Sequence, residues 1–123
     1  ALPGRTIAAL NGTVAGGANG MVLACDLRVA APGARFFYPV MKLGYLPQPS
    51  DPKRMAALIG PARTKLILLA GQKIDAQTAH SFGLIDEIVT DGDVLSRAHA
   101  LCADTVAADP ATAQAIKALC TPV

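Results

Sequence analysis

Two adjacent glycines, Gly16 and Gly17, lie between two apolar segments and constrain the fold more than any other feature of the chain. Residues 6–10 (TIAAL) are apolar and end at Asn11-Gly12, which predicts a buried strand entering a turn. Residues 16–25 are small and apolar almost all round, which predicts a fully buried helix. Such a junction permits unusual backbone angles and leaves N–H groups without intrahelical partners. It favours either tight helix packing or a site for a carbonyl oxygen that gains negative charge.

The remaining pattern places strands early and helices late. Residues 27–31 predict a second strand, residues 34–50 contain too many Pro and Gly for anything but a strand end and a long loop, and residues 84–89 are strand-like. The first predicted helix begins at Ser50-Asp51-Pro52, with a hydroxyl or carboxylate cap, and runs to about Gly60. The second runs from Pro61 to Leu69, and the third from Asp75 to Phe82, where Gly83 ends it. The last two predicted helices begin at Asp93 and at Asp109-Pro110. In the last two helices, apolar residues such as Leu95 and Leu119 recur at helical spacing. The order of elements predicts an α/β layer followed by a helical region.

Composition limits the classes of protein that the chain can belong to. Its 123 residues fit one domain, and 52% hydrophobic with 16% charged residues is typical of a globular protein. So much apolar surface on a short chain predicts burial against another chain or domain. The net charge of +2 comes from dispersed Lys and Arg without interleaved aromatic residues, which argues against nucleic-acid binding.

The cysteines and histidines give no metal-binding pattern. Cys25, Cys102 and Cys120 lie in apolar segments without CxxC or Cys/His spacing, which predicts reduced core residues in a cytoplasmic protein. His80 and His99 have no acidic or thiol partner at ligand spacing, so no metal is expected. No apolar run reaches the roughly 18 residues of a membrane span, and no signal peptide is recognisable, so no membrane association is expected.

Two ordered motifs carry a resemblance to a known family. Residues 7–47 (IAALNGTVAGGANGMVLACDLRVAAPGARFFYPVMKLGYLP) and 69–89 (LAGQKIDAQTAHSFGLIDEIV) resemble the crotonase superfamily, the enoyl-CoA hydratases and isomerases. The resemblance implies a crotonase-like (ClpP/crotonase) fold, with a partial β-β-α spiral core followed by a C-terminal helical region. It implies one partial domain over residues 1–123, with the core strands and oxyanion-site helix in 1–49 and a helical, trimerisation region in 50–123.

The same resemblance implies partners. The chain matches the C-terminal half of the family fold, so we expect an N-terminal half outside it, as Ala1 in place of Met also indicates. The family assembles as trimers or paired trimers, which would bury the apolar excess. The expected ligand is an acyl-CoA thioester, with coenzyme A as part of the substrate and no separate cofactor.

The resemblance implies that the Gly17 amide is an oxyanion donor. The chain nevertheless lacks the acidic side chains that the family's hydratases use. Hydration of a conjugated thioester needs one group to take a proton from water and another to deliver one to carbon. The family's hydratases use two glutamates, which correspond here to Gly20 and Val40. The one glutamate of the chain, Glu87, lies far along the sequence and is interpreted as a solvated residue at a strand edge.

Other residues near the implied pocket are candidates to replace the two glutamates or to contact the substrate. Asp51 is the best candidate base, although capping of the helix at residue 50 is favoured for it. Tyr38 and Tyr45 could hydrogen-bond a substrate, but their reference pKa of about 10 suits a general acid poorly. The remaining candidates for substrate contact are Gly16, Val40, Asn19, Lys42 and Lys117. Asn19 could orient a water or face the helix exterior, Lys42 is interpreted as a surface or phosphate-contacting residue, and Lys117 could reach coenzyme A, although solvation at the surface is favoured for it.

Three functions remain open from the sequence. The first is acyl-CoA thioester binding without hydration, in fatty-acid or related acyl-CoA metabolism. The second is an active enzyme of the same fold, an isomerase, hydrolase or other lyase with Asp51 or an outside residue as base. The third is a structural fragment that serves assembly.

Overall fold

The computed structural model of the protein describes residues 6–90 and 92–120, without the side chains of residues 104 and 105. Its strands are β1 (Ile7–Leu10), β2 (Thr13–Ala15), β3 (Leu27–Ala30), β4 (Arg35–Phe37), β5 (Ile74–Asp75) and β6 (Glu87–Ile88). Its helices are α1 (Ala18–Ala24), α2 (Val40–Leu43), α3 (Ser50–Ile59), α4 (Pro61–Leu68), α5 (Ala76–Phe82), α6 (Val94–Ala107) and α7 (Pro110–Cys120).

Over the described ranges, the strands form two small sheets of three strands each. One sheet has the parallel order β1-β3-β6, and the other has the order β2-β4-β5, with β2 parallel and β5 antiparallel to β4. The chain contributes one strand to each sheet before entering a helix, first as β1-β2-α1 and then as β3-β4-α2. This strand-strand-helix order agrees with the α/β class and the spiral core that the sequence predicts.

The helix starts in the second half of the chain are largely as predicted. Helices α3, α4 and α5 begin within one residue of the predicted positions, and Asp75 caps α5 by accepting a hydrogen bond from the Thr78 amide at 2.8 Å. Gly83 ends α5 with a φ of +90°, in the left-handed region. Local capping and turn chemistry therefore governs these boundaries.

Three short elements escaped prediction, and helix α1 is less buried than predicted. Strands β2 and β5 and helix α2 have two to four residues each, too few to show a period. Helix α1 is not fully buried, because Met21 is 75% exposed. One face of α1 is therefore exposed to solvent.

The main core cluster lies between the strands and helices α1 to α5, and a smaller cluster joins Val29 of β3 to Val94 and Ala98 of α6. The largest fully buried side chains are Phe36, Met55, Ile67, Leu84, Ile85 and Val29. Arg28 on β3 is also buried, and its guanidinium donates to the carbonyl oxygens of Leu84 and Cys25 at 2.8 and 2.7 Å. Burial lowers the pKa of Arg28, opposed by the nearby Asp86 carboxylate. Arg28 thus ties α1, β3 and the segment before β6 together.

The last two helices bury less than their apolar patterns predict. Leu95 on α6 is exposed, and among the described residues of α7 none is buried. Cys120 is exposed while Cys25 and Cys102 are half-buried, so the prediction of three core cysteines is wrong. Among the helices in residues 6–90 and 92–120, none is long and apolar enough to span a bilayer.

Candidate functional site

The glycine pair forms a tight turn at the start of α1. Gly16 has a φ of +57°, which glycine adopts without strain, and its amide donates to the Phe37 carbonyl at 2.9 Å. The Asn19 side-chain amide donates to the carbonyls of Gly16 and Phe37 at 2.8 and 3.1 Å. Asn19 is buried and holds this turn against β4, so its side chain does not face the helix exterior, one of the two placements considered from the sequence. A role in orienting a water stays a prediction.

Gly17 follows the turn and borders a cavity of about 330 Å³. Its φ and ψ are −60° and −21°, and the described part of the chain supplies no main-chain acceptor for its amide. The cavity is lined by Gly17, Gly20, Met21, Ala24, Gln48, Ser50, Asp51 and Arg54. The structure therefore brings together three of the residues singled out from the sequence, Gly17, Gly20 and Asp51, on one cavity.

Asp51 does not cap helix α3. The N-cap residue is Pro49, and no side chain forms a capping hydrogen bond there. The predicted capping by Ser50 or Asp51 is therefore wrong. Asp51 is only 2% exposed, and its carboxylate is directed to a tertiary partner.

That partner is Tyr38, whose hydroxyl donates to Asp51 Oδ2 at 2.7 Å. Tyr38 follows β4 and is itself buried. Burial, together with the hydrogen bond to Asp51 and its charge, raises the pKa of Tyr38 to about 12. The phenol therefore stays protonated near neutral pH and acts as a donor to the carboxylate.

The Asp51 carboxylate lies against the backbone of Gly20. A Cβ atom built on Gly20 would be 2.9 Å from Oδ1 and 3.2 Å from Oδ2 of Asp51. Gly20 does not have a positive φ, so its conformation does not demand glycine. Glycine is required instead by the close approach of Asp51, because its carboxylate fills the space that a side chain at position 20 would take.

Two other residues predicted at the substrate pocket lie away from this cavity. Val40 begins α2 with its side chain buried, while Tyr45 is 53% exposed, and neither lines the cavity of Gly17. Lys42 is exposed on α2. Position 40 therefore offers a buried aliphatic group and no group that transfers a proton.

Lys117 lies at a second, larger cavity of about 740 Å³ between helices α1, α3, α6 and α7. Its Nζ is 3.0 Å from Asp26 Oδ1, and the other carboxylate oxygen of Asp26 accepts from the Thr6 amide at 3.0 Å. Ala24 and Arg54 line both cavities, which are therefore adjacent. The sequence pattern gave no reason to select Arg54, since a basic residue on an amphipathic helix is ordinarily solvated.

Glu87 lies outside both cavities and has a structural partner. Both of its carboxylate oxygens accept from Arg97 Nε, at 2.9 and 3.0 Å, and its side chain is 38% exposed. This placement agrees with the interpretation of Glu87 as a partly solvated strand residue. Within the described ranges, no three His, Cys, Asp or Glu side chains form a group that could hold a metal ion.

Comparisons with known proteins agree with this fold. The profile of the family described as enoyl-CoA hydratase/isomerase matches residues 1–122. The Bacillus subtilis protein YngF is 34% identical over 110 residues, 89% of this chain and 42% of YngF. The peroxisomal fatty acid beta-oxidation multifunctional protein AIM1 of Arabidopsis thaliana is 38% identical over 90 residues, 73% of this chain and 12% of AIM1.

A solved structure repeats the same architecture. The enoyl-CoA hydratase from Bacillus anthracis superposes with a TM-score of 0.86 at 30% identity, over 92% of this chain and 44% of that one. The chain thus spans less than half the length of these relatives, and it has the crotonase fold that its motifs predicted. Sequence profile, relatives and fold agree, and the chain belongs to the enoyl-CoA hydratase/isomerase family.

Proposed function

We propose that the protein binds acyl-CoA thioesters, with the thioester carbonyl oxygen accepting a hydrogen bond from the Gly17 amide. The observation that carries this proposal is the Gly17 amide itself, which has no main-chain acceptor in the described chain and borders a cavity. Family membership and the position of Gly17 in the glycine motif support it. A second amide would come from a part of the family fold that this chain does not include.

Hydration by two glutamates is not part of this proposal. The positions that correspond to the family's hydratase glutamates are Gly20, which has no side chain, and Val40, which is buried and aliphatic. Neither residue can take up or release a proton, and addition of water to a conjugated thioester requires both transfers. Binding and polarisation of the thioester need only the amide donor.

The acyl group that we propose is a fatty acyl chain. AIM1, the plant relative, is named for fatty acid beta-oxidation. The cavity at Gly17 adjoins a larger one lined by apolar side chains that include Leu23, Leu58 and Leu101. Coenzyme A enters as part of the substrate.

A titration observed at one amide tests this function directly. With ¹⁵N-glycine labelling, we expect the Gly17 amide proton to shift downfield on addition of butyryl-CoA, because it gains an acceptor. Addition of coenzyme A alone, which lacks the carbonyl oxygen, should leave that resonance in place. Binding without a change at Gly17, or no binding of any acyl-CoA, would show that the proposal is wrong.

A pair of substitutions gives an independent test. Gly17→Pro removes the amide hydrogen at a φ of −60° that proline accepts, whereas Gly17→Ala retains it and adds a Cβ with no neighbour within 4 Å. We expect Gly17→Pro to weaken butyryl-CoA binding about tenfold in calorimetry, the equivalent of ~1.4 kcal/mol. Gly17→Ala is the control, and circular dichroism confirms that both variants fold.

Assembly into homotrimers or hexamers stays a prediction from the family resemblance. Large apolar side chains are exposed after α2 and on α7, and Leu46 and Leu119 are 90% and 86% exposed. Sedimentation velocity of the protein should show species of three or six chains. A monomer at all concentrations would contradict this prediction without affecting thioester binding.

A further inference from the structure

We propose that Asp51 is the proton-transferring residue of this site, taking the place of an acidic side chain at position 20, and that Tyr38 positions its carboxylate. The substrate class is an acyl-CoA whose carbon next to the thioester can lose a proton, such as a β,γ-unsaturated acyl-CoA. This assignment rests on the proposed thioester-binding function and names the chemistry of the same site.

The first step of the argument is spatial. Asp51 Oδ1 lies 2.9 Å from the position of a Cβ on Gly20, closer than a real Cβ atom comes to another heavy atom. A side chain at position 20 and this placement of Asp51 therefore exclude each other. Position 20 of α1 thus carries no side chain at the point where α3 supplies a carboxylate.

The second step concerns the orientation of the carboxylate. Asp51 Oδ2 accepts the Tyr38 hydroxyl at 2.7 Å, while no described residue forms a hydrogen bond with Oδ1. Asp51 lines the cavity that Gly17 also borders. The hydrogen bond thus fixes one oxygen and leaves the other to meet a ligand.

The third step is the burial of the pair. Asp51 and Tyr38 are each 2% exposed, so water solvates the carboxylate only through the cavity. A side chain that served only to start helix α3 would gain nothing from this burial, since it forms no capping bond. A bound acyl-CoA would displace the remaining water and leave Asp51 against the acyl carbons.

The reaction is a proton transfer at carbon. Oδ1 of Asp51 takes the proton from the carbon next to the thioester, and the electron pair of that C–H bond moves into an enolate. The enolate oxygen accepts the hydrogen bond of the Gly17 amide. Asp51, now a carboxylic acid, returns the proton either to the same carbon or to the far end of the conjugated system. One base suffices for this step, whereas hydration needs two groups facing one water.

Proton exchange in D₂O tests the assignment. With but-3-enoyl-CoA, we expect the protein to incorporate deuterium at the acyl carbons and to form the conjugated but-2-enoyl thioester. Asp51→Asn keeps the shape and an acceptor for Tyr38 but lacks the base, so exchange should fall by about 100-fold or more. Binding of but-3-enoyl-CoA, followed by calorimetry, should change by less than about threefold, because the oxyanion donor is intact.

Asp75→Asn is the matched control for that variant. Asp75 is an exposed helix cap, and asparagine caps a helix as well as aspartate does. Its exchange rate should equal that of the unmodified protein. Wild-type exchange in Asp51→Asn with binding retained would overturn the role of Asp51 and leave the proposed function standing. Loss of acyl-CoA binding in the unmodified protein would overturn both.

Tyr38→Phe tests the positioning role. This variant keeps the ring and removes the hydroxyl that holds Oδ2, so we expect about tenfold slower exchange with an unchanged dissociation constant for but-3-enoyl-CoA. A purely structural role for Tyr38 would lower stability and binding together. An unchanged exchange rate would contradict the positioning role.

A rescue experiment tests whether an acidic side chain at position 20 can take the place of the one at position 51. Asp51→Ala should abolish exchange, and the double variant with Gly20→Glu added should recover part of it, because a glutamate at position 20 then fits. Gly20→Glu alone should unfold at a lower urea concentration than the double variant. If the double variant exchanges no faster than Asp51→Ala while folded and able to bind but-3-enoyl-CoA, the equivalence of the two positions is wrong.

Discussion

The hydroxyl of Tyr38 donates to the carboxylate of Asp51 at 2.7 Å, and both side chains are almost completely buried. The bond joins the end of the β4 segment to the first turn of α3, whose Asp51 carboxylate lies beside the Gly20 backbone. A phenol in this position is stabilised in its neutral form, since ionisation would place two negative charges side by side.

The stability of the fold should therefore fall in alkaline solution through Tyr38. The folded-state pKa of about 12 lies above the ordinary value of 10.0. The unfolded chain thus releases the phenolic proton first, and the contribution of Tyr38 is complete below pH 10 and is lost as pH rises toward 12. Urea denaturation at several pH values should show a smaller fall for Tyr38→Phe than for the unmodified protein. Tyr45→Phe, at an exposed tyrosine, is the control and should keep the full fall.

Gly20→Ala should destabilise the protein although it lies inside a helix. Alanine normally stabilises a helix by up to about 1 kcal/mol over glycine, but overpacking costs about 1 to 3 kcal/mol, so we expect a net loss near 1 kcal/mol. The overpacking arises at the Asp51 carboxylate, 2.9 Å from the new Cβ. Urea denaturation measures the loss.

The same substitution in an Asp51→Ala background provides the control. Without the carboxylate, Gly20→Ala should become neutral or stabilising, and the difference between the two backgrounds is the coupling energy. Additive effects of the two substitutions would contradict the close approach of Gly20 and Asp51.

Arg28→Met should be the most destabilising of the changes considered. The guanidinium is buried and donates to the Leu84 and Cys25 carbonyls, and it lies 3.6 Å from Asp86 Oδ2. Methionine fills similar volume but leaves those two acceptors without a donor, and each unsatisfied buried acceptor costs about 1 to 3 kcal/mol in the free energy of unfolding. Lys53→Met, at an exposed residue of α3, should change it by less than about 0.5 kcal/mol. Equal effects of the two variants would show that Arg28 does not hold the sheet to α1.

Lys117→Met should loosen helix α7 without unfolding the core. The described residues of α7 include none that is buried, and the Lys117–Asp26 ion pair at 3.0 Å links this helix to the segment between α1 and β3. Amide hydrogen exchange in α7 should rise severalfold, while the urea midpoint of the core changes little. Lys42→Met, on the exposed face of α2, should leave exchange in α7 unchanged. Equal protection of α7 in both variants would contradict the prediction.

Much of the fold follows from local signals in the sequence. The Gly16-Gly17 turn, the start of α4 at Pro61 and the Asp75 cap each depend on neighbouring residues, and the structure has all three. Leu95 shows where the periodicity is insufficient, because a helical apolar stripe does not say how much of it another element covers.

The candidate site is harder to predict from local sequence signals than the fold is. The residues around Asp51 match a helix cap, and the sequence alone favoured that interpretation. In the structure, the Asp51 carboxylate instead accepts a hydrogen bond from Tyr38 and lies beside the Gly20 backbone. Both are tertiary contacts, which a local sequence pattern does not indicate. The anchoring of Asn19 escaped prediction for the same reason, since its partner Phe37 belongs to strand β4.

The proposed role of Asp51 places an acid of α3 in the volume that a side chain at position 20 of α1 would fill. A comparison of family members at position 20 alone would therefore miss this acid. We expect positions 20 and 51 to vary together among related sequences, so that a member with a long side chain at one carries glycine at the other. Such a pair would mark an acid that has moved between helices while its place in the site stayed the same.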